Sequence, residues 1–282
     1  MNVFHSKSRL IQHLTPARQL GKSIGFVPTM GAIHPGHLSL LQYALKENQI
    51  VVVSIFVNPT QFNNSEDLEK YPRTLERDVK QIEQLSDQII IYAPEVDDIY
   101  EGNTIAQKFS YDGLENEMEG ANRPGHFDGV GTVVKKLFEI IQPNKAYFGE
   151  KDFQQLQIVR KMVEINNMKT EIIGCPVFRE ENGLAMSSRN ERLSETAKQK
   201  AGLIYKILTE AKNRFQESTL SEIILFVSNS FAKDPDFTLE YFIIADEDSL
   251  ESATKKEVEK KYRGFIVVHI ENVRLIDNIA LN

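Results

Sequence analysis

The sequence predicts an α/β fold, a mainly parallel sheet followed by a smaller α+β part, and three observations carry that prediction. Short apolar runs rich in β-branched residues recur along the first part of the chain. Between them lie stretches whose apolar residues return every three or four positions. After about Cys175 the texture changes to long helical patterns and then strand patterns. Strands alternating with helices of this size make βαβ units, and such units build parallel sheets.

Ile24-Gly25-Phe26-Val27-Pro28 is the first run. Ile50 to Val57 (IVVVSIFV) is apolar almost without interruption, as a strand buried on both faces is. Gln88 to Ala93, Lys145 to Gly149 and Ile172-Ile173 read as further strands. Helical faces fall between them: Leu38, Leu41 and Leu45; Leu75, Val79, Ile82 and Leu85; Val130, Val133, Val134, Leu137 and Ile141; Leu156, Val159, Met162 and Val163. The expected division is a Rossmann-like domain over 1–175 and a smaller α+β domain over 176–282 that closes over the active site. In the latter, helices are expected over Glu195 to Phe215 and Ser221 to Phe231, and strands over Thr238 to Ala245 and Gly264 to Ile270. The charge run Glu251 to Lys261 reads as a solvated helix or loop face.

With 282 residues, 41% hydrophobic and 26% charged, the composition is that of an ordinary globular protein. A net charge of −7 argues against general affinity for nucleic acid or anionic membrane, which needs a basic surface. Cys175 is the single cysteine, so no internal disulfide can form, which fits a reducing compartment. Its position at the end of an apolar run suggests a buried structural thiol. The first residues lack the apolar stretch of a secretory signal, and no apolar run approaches the roughly 18 residues of a spanning helix. The expectation is a cytoplasmic enzyme.

The most informative motif is His34-Pro35-Gly36-His37, between the turn Thr29-Met30-Gly31 and a helical pattern. At such a junction free backbone N–H groups and the helix dipole favour an anion. Two histidines three residues apart can donate to a triphosphate without adding permanent charge. His-x-Gly-His in this setting is the signature of enzymes that transfer AMP from ATP; the plainer reading is one capping and one surface histidine. Asn58-Pro59-Thr60-Gln61-Phe62 follows a strand and suggests a shaped site loop. Gly149-Glu150-Lys151-Asp152 opens a helix, where the dipole disfavours a cation, so a phosphate ligand would explain Lys151. Gln155 lies one turn further on the same side; the plainer reading is an exposed Lys and Gln on an amphipathic helix. Ala185-Met186-Ser187-Ser188-Arg189-Asn190 offers two hydroxyls and a guanidinium to phosphate oxygens, or a helix cap. Arg123 to Gly129 is a second glycine-containing turn, in which Asp128 suits a cap and Arg123 and His126 could face the cleft. Asp78 could help hold magnesium beside the phosphates or could simply be solvated.

Together these segments resemble the pantothenate synthetase (pantoate–β-alanine ligase) family of the HxGH adenylate-forming nucleotidyltransferases. Pro28 to His37 resembles its nucleotide loop, and Ser54 to Phe62 with Tyr71-Pro72-Arg73-Thr74 its pantoate segment. Arg123 to Gly129, Phe148 to Gln155, Gly183 to Arg189 and Arg274-Leu275-Ile276-Asp277-Asn278 resemble the rest. Pro35 stands where many members carry Glu, and Asn122 where Gly is frequent before Arg123.

The resemblance implies ATP and Mg²⁺, pantoate and β-alanine as substrates, a pantoyl-adenylate intermediate, and a homodimer. It implies His37, as proton donor, with His34 and Lys151 as catalytic residues. The ATP site would comprise Met30, Gly31, Ala32, Ile33, Pro35 and Gly36 around the histidines. Gly149, Glu150, Asp152 and Phe178 would join it, with Met186, Ser187, Ser188 and Arg189 on the phosphates. Gln61, Gln155 and Met30 would bind pantoate, with Arg123 and His126 toward β-alanine or the cleft. Another HxGH nucleotidylyltransferase acting on a small phosphorylated substrate is the nearest alternative. An RNA-binding relative of the aminoacyl-tRNA synthetases is disfavoured by the acidic charge balance.

Overall fold

The structure is a computed structural model and describes residues 2–282. Among the described residues six parallel strands form the larger sheet: β1 (Asn2–Phe4), β2 (Ile24–Thr29), β3 (Ile50–Ile55), β4 (Ile90–Tyr92), β5 (Lys145–Gly149) and β6 (Glu171–Cys175). β3 sits inside because its sequence, IVVVSI, carries β-branched apolar side chains on both faces, and Val51 to Ser54 are all buried. It runs in full register with β2, from Ile24 opposite Ile50 to Thr29 opposite Ile55. Val27, Val53, Ile91, Tyr147 and the helical Leu41 belong to one apolar cluster. Fully burying each large aliphatic of that kind contributes about 1.5–3 kcal/mol.

The strand order, β1-β4-β3-β2-β5-β6, places a reversal between β2 and β5. The chain runs from β2 toward one edge, then returns with β5 and β6 on the other side. In open α/β sheets a crevice forms at the carboxyl ends at such a reversal. Here the β2–β5 ladder pairs Gly25 with Lys145 and Phe26 with Ala146 and goes no further. Pro28, two residues on, has no N–H with which to extend it. The histidine motif and Gly149 therefore follow the two strands that part.

The C-terminal sheet is antiparallel, β7 (Phe237–Asp246), β8 (Tyr262–Ile270) and β9 (Val273–Ala280) in that order. Sequence periodicity anticipated β7 and β8 but not β1 or β9. β9 follows β8 through Glu271 and Asn272, both with positive φ (48° and 61°), the conformation a two-residue hairpin turn requires. The expected helix from Glu195 to Phe215 is two helices, Glu195–Ala201 and Leu203–Arg214. At the break, a Cβ on Gly202 would come within 2.5 Å of the Asn182 carbonyl oxygen, so the close approach demands glycine. Helix Leu220–Phe231 starts at a reciprocal cap: Glu222 N–H donates to Thr219 Oγ1 (3.3 Å) and Thr219 N–H to Glu222 Oε2 (2.7 Å). The charged stretch 251–261 folds as mostly exposed turns.

The chain divides into two compact units, Met1–Glu150 with Gln154–Pro176, and Lys151–Phe153 with Val177–Asn282. Lys151 thus groups with the C-terminal part. The Phe153 ring lies 6.0 Å from that of Phe265 with the Arg263 guanidinium 3.8 Å over it, and Asn278 Nδ2 donates to the Lys151 carbonyl (2.9 Å). The acidic segment 115–119, unexplained by sequence, is structural. Glu115 accepts the N–H groups of Tyr111 and Gly113, and Gln154 Nε2 donates to the carbonyls of Leu114 and Glu117. No helix among the described residues is long and apolar enough to cross a membrane.

Cys175 is 1% exposed, and burial pushes its thiol up to about 12, with Glu47 and Glu150 adding to the effect. Because the thiolate is the reacting form, the native thiol should be inert. An aromatic disulfide reagent at pH 8 should release no thiol signal from native protein and one equivalent after denaturation. Prompt reaction of the native chain would contradict the burial.

Candidate active site

The first group of residues stands where β2 ends. Thr29 Oγ1 donates to the Ser54 carbonyl (2.7 Å) and accepts the Gly31 N–H (3.2 Å), so the chain turns as it leaves the sheet. Gly31 and Ala32 take the left-handed conformation (φ 84° and 50°). The helix Pro35–Glu47 then begins with His34 as its N-cap and Pro35 at the first position, where proline's fixed φ suits a helix start. One helical turn brings the His34 and His37 rings face to face, with centroids 3.9 Å apart and planes at 25°. The His34 N–H donates to His37 Nδ1 (3.4 Å). The sequence motif has become a stacked imidazole pair at the mouth of the β2–β5 crevice.

Two expectations about this loop are corrected. The loop N–H groups of Ala32 and Ile33 are not open to an external anion: they donate to Asp78 Oδ2 (3.0 Å) and Oδ1 (2.8 Å). At the helix start Pro35 has no N–H, and the N–H groups of His37 and Leu38 close onto the His34 carbonyl (2.9 and 3.1 Å). Asp78 is 0% exposed, not solvated, and Thr74 Oγ1 also donates to its Oδ1 (3.2 Å). Both oxygens of its carboxylate are thus engaged within the protein. No group of three or more His, Cys, Asp or Glu among the described residues could hold a metal ion.

The second group surrounds Gln61, 9% exposed at the end of a 3₁₀ turn Pro59–Gln61 after β3. Its Oε1 accepts from Asn58 Nδ2 (3.0 Å) and its Nε2 points to Met30 Sδ (3.3 Å). The Tyr100 hydroxyl in turn donates to Asn58 Oδ1 (2.6 Å). Gln61 and Met30, both assigned to pantoate from the resemblance, are therefore neighbours. Arg123 and His126 lie behind them: His126 Nδ1 is 2.8 Å and Arg123 Nη2 3.4 Å from the Gln61 carbonyl oxygen. The structure thus gives both a supporting place on the Gln61 main chain. Helix His126–Ile141 approaches so closely that a Cβ on Gly129 would meet the Thr60 carbonyl oxygen at 2.3 Å. Asp128, expected as its cap, instead accepts the Phe109 N–H (3.1 Å). Gln155 is half-buried in the helix Phe153–Ile165. Gly149 is open on its Cα face, with nothing within 4 Å of a built Cβ.

The third group lies within the C-terminal unit. Lys151, Ser187, Arg189, Arg274 and Asp277 line one small cleft. The Lys151 side chain is 15% exposed, and its Nζ stands 3.8 Å from Asp152 Oδ1. The segment bearing Ser187 returns from a hairpin in which Arg179 bridges to Ala185 and Met186 N–H donates to the Phe178 carbonyl. Phe178 itself is 40% exposed. Ser187 Oγ accepts the Arg189 N–H (3.3 Å) and caps the 3₁₀ turn Ser188–Arg192. That hairpin is tied to β9 by a fork: Arg179 Nη1 and Nη2 donate to the two Asp277 oxygens at 2.7 and 3.0 Å. Burial pushes the Asp277 carboxyl up, while Arg179 and the Asn278 N–H favour its ionised form. Arg274 makes a second fork, to Glu240, and holds that carboxyl down at about 2. Sequence reasoning missed Arg179 and the purposes of Asn58, Gly129 and Asp277-Asn278. The signal available was their place beside motif residues, and it named no partner.

Fold and loop define a class, the α/β enzymes that bind a nucleotide at the carboxyl ends of a parallel sheet beside a paired-histidine loop. The chain belongs to the pantoate-beta-alanine ligase family, whose profile matches residues 2–280. It is 57% identical over 281 residues to the pantothenate synthetase of Flavobacterium psychrophilum, each chain being covered in full. The crystal structure of pantothenate synthetase from Thermus thermophilus superposes with a TM-score of 0.89 at 37% identity, covering 100% of this chain and 99% of that one. The ligase from Francisella tularensis, crystallised with beta-gamma ATP and beta-alanine, superposes at 0.80 with 35% identity, covering 100% and 98%.

The Arg179–Asp277 fork has a measurable weight. Arg179→Ala leaves a buried carboxylate without its counter-ion, which typically costs about 3–5 kcal/mol. Urea unfolding should show a loss of that size, and Arg179→Lys should recover only part of it, because an ammonium cannot make the fork. An unchanged midpoint for Arg179→Ala would show the pair to be energetically neutral.

Proposed function

We propose that the chain condenses pantoate with β-alanine in a reaction driven by ATP, releasing AMP and pyrophosphate. The stacked His34–His37 pair at the carboxyl end of β2 carries this reading, with family membership and a relative crystallised with beta-gamma ATP and beta-alanine in support. A carboxylate and an ammonium ion in water form only a salt. The pantoate carboxylate oxygen therefore attacks the α-phosphorus, the bond to the bridging oxygen breaks, and pyrophosphate leaves. The β-alanine amine nitrogen then attacks the acyl carbon and expels AMP.

In the first step His34 and His37 donate to phosphate oxygens as charge moves onto the leaving pyrophosphate, with His37 the proton donor. Lys151, Ser187, Ser188 and Arg189 bind phosphate oxygens, while Met30, Gly149, Asp152, Met186 and Phe178 line the nucleotide. Gln61 and Gln155 hold pantoate. An amide orients a carboxylate without the strong ground-state stabilisation that an arginine would give to a charge consumed in the reaction. Magnesium enters with ATP, bound by its phosphates. A homodimer working in the cytoplasm completes the reading.

The test is ATP–pyrophosphate exchange with Mg²⁺ and no β-alanine. Exchange that requires pantoate is expected. No AMP, with or without β-alanine, would overturn the reading in favour of a nucleotidylyltransferase, which keeps the AMP moiety in its product. Losing one transition-state donor typically costs on the order of 10²–10³ in rate. His37→Ala and Lys151→Ala should each lose at least that in exchange while remaining folded. Gln61→Arg should lower kcat even where pantoate still binds, and an unchanged kcat would refute the argument about neutrality.

A further inference from the structure

We propose that Asp78 is the positioning residue of the histidine loop. Its carboxylate fills the backbone nest at Gly31–Ile33 from within, sets the His34–His37 pair, and leaves the ATP phosphates to side chains. The inference rests on the reading of this loop as the ATP site.

Successive backbone N–H groups in a turn can point to one side and make a concavity that takes an anion. Gly31 and Ala32 are both left-handed, and Ala32 is not a glycine, so the conformation needs support from elsewhere. Asp78 supplies it: one oxygen accepts from Ala32 (3.0 Å), the other from Ile33 (2.8 Å) and from Thr74 Oγ1 (3.2 Å). The fit leaves no slack, since a Cβ on Gly31 would lie 3.0 Å from Asp78 Oδ2 and 3.2 Å from Ile55 Cγ2. Asp78 is itself anchored in the first turn of helix Leu75–Leu85, where its N–H donates to the Thr74 carbonyl (2.9 Å).

A phosphate oxygen could reach these N–H groups only by displacing the carboxylate, and like charges cannot share the nest. The histidine loop therefore differs from a phosphate-cradling loop in which the backbone is the ligand. The internal anion fixes the turn, and the helix start and its two imidazoles follow from it. Asparagine at this position would offer one acceptor oxygen and one amide NH₂ to two N–H donors, so one half of the clasp would become a donor–donor clash.

Asp78→Asn should lower kcat for pantoate-dependent exchange about 10²-fold, the usual cost of misplacing catalytic groups by about 1 Å. The Mg²⁺ concentration for half-maximal rate should stay within about twofold of the parent's. Thr74→Val removes one of the three clasp bonds and leaves the charge in place. It should fold normally and lose several-fold in kcat, so the test survives a failure of Asp78→Asn to fold. In ligand-free protein the ring-proton NMR signals of His34 and His37, assigned with His→Gln variants, should shift in either Asp78→Asn or Thr74→Val. Unshifted ring signals would overturn the proposal whatever the enzyme's activity. So would kcat within threefold of the parent's in both variants, or a tenfold higher Mg²⁺ requirement rescued by excess metal, which would make Asp78 a metal ligand. A parent chain without pantoate-dependent exchange would instead count against the proposed function, and the NMR result would still decide the role of Asp78.

Discussion

The structure depends on one buried carboxylate at the end of β2. A left-handed turn at Gly31 and Ala32 leaves backbone donors pointing inward, and a buried donor without a partner costs about 1–3 kcal/mol. Asp78 satisfies two of them at once. With the turn fixed, Pro35 can start its helix one residue after His34, and the helical repeat stacks His37 on His34. The parting of β2 from β5 past Phe26 gives that pair an open crevice to face. Strand splitting, turn and helix start are thus successive consequences of a few local groups.

The C-terminal unit solves a comparable problem with different groups. Residues distant in sequence must line one cleft, and β9 holds them. Asp277 takes the hairpin through Arg179, and its neighbour Asn278 takes the Lys151 carbonyl through Nδ2 while accepting from Arg263 at 2.6 Å. Adjacent residues on a strand point to opposite faces, so two consecutive side chains can hold two different segments. This accounts for a motif, Asp277-Asn278, whose residues need touch no ligand to matter.

Much of the larger sheet was legible in the sequence, because strands buried on both faces are continuous apolar runs and Lys145–Gly149 reads to the residue. β9 was not legible, since Val273 to Ala280 mixes Arg, Asp and Asn whose partners are far away in the chain. Gly202 looked tolerable inside a helical pattern because the Asn182 carbonyl it meets is 20 positions earlier, at 2.5 Å from a built Cβ. At the site, the sequence singled out the histidines, Gln61 and Lys151 as candidates. It did not show which groups support them. Asp78 looked like a solvated acid or metal ligand, and His126 and Arg123 like cleft residues. What decides between contacting a ligand and holding a neighbour is the partner across 45 to 65 positions of chain, and local pattern carries no information about that partner.

The internal anion also bears on the electrostatics of adenylation. A loop whose backbone donors all faced the triphosphate would bind ATP and the transition state alike, and uniform binding does not raise kcat. With Asp78 in the nest, the attraction falls to groups that respond to the reaction, such as imidazoles able to shift a proton as charge moves onto pyrophosphate. The proposed role of Gln61 follows the same logic on the side of the acid, since its amide is held by Asn58 and by Met30 Sδ. The proposed site spends its fixed positive charge, Lys151 and Arg189, on the ATP phosphates and none on the pantoate carboxylate. Its strongest electrostatic contributions arise where negative charge develops, which is where they lower the barrier.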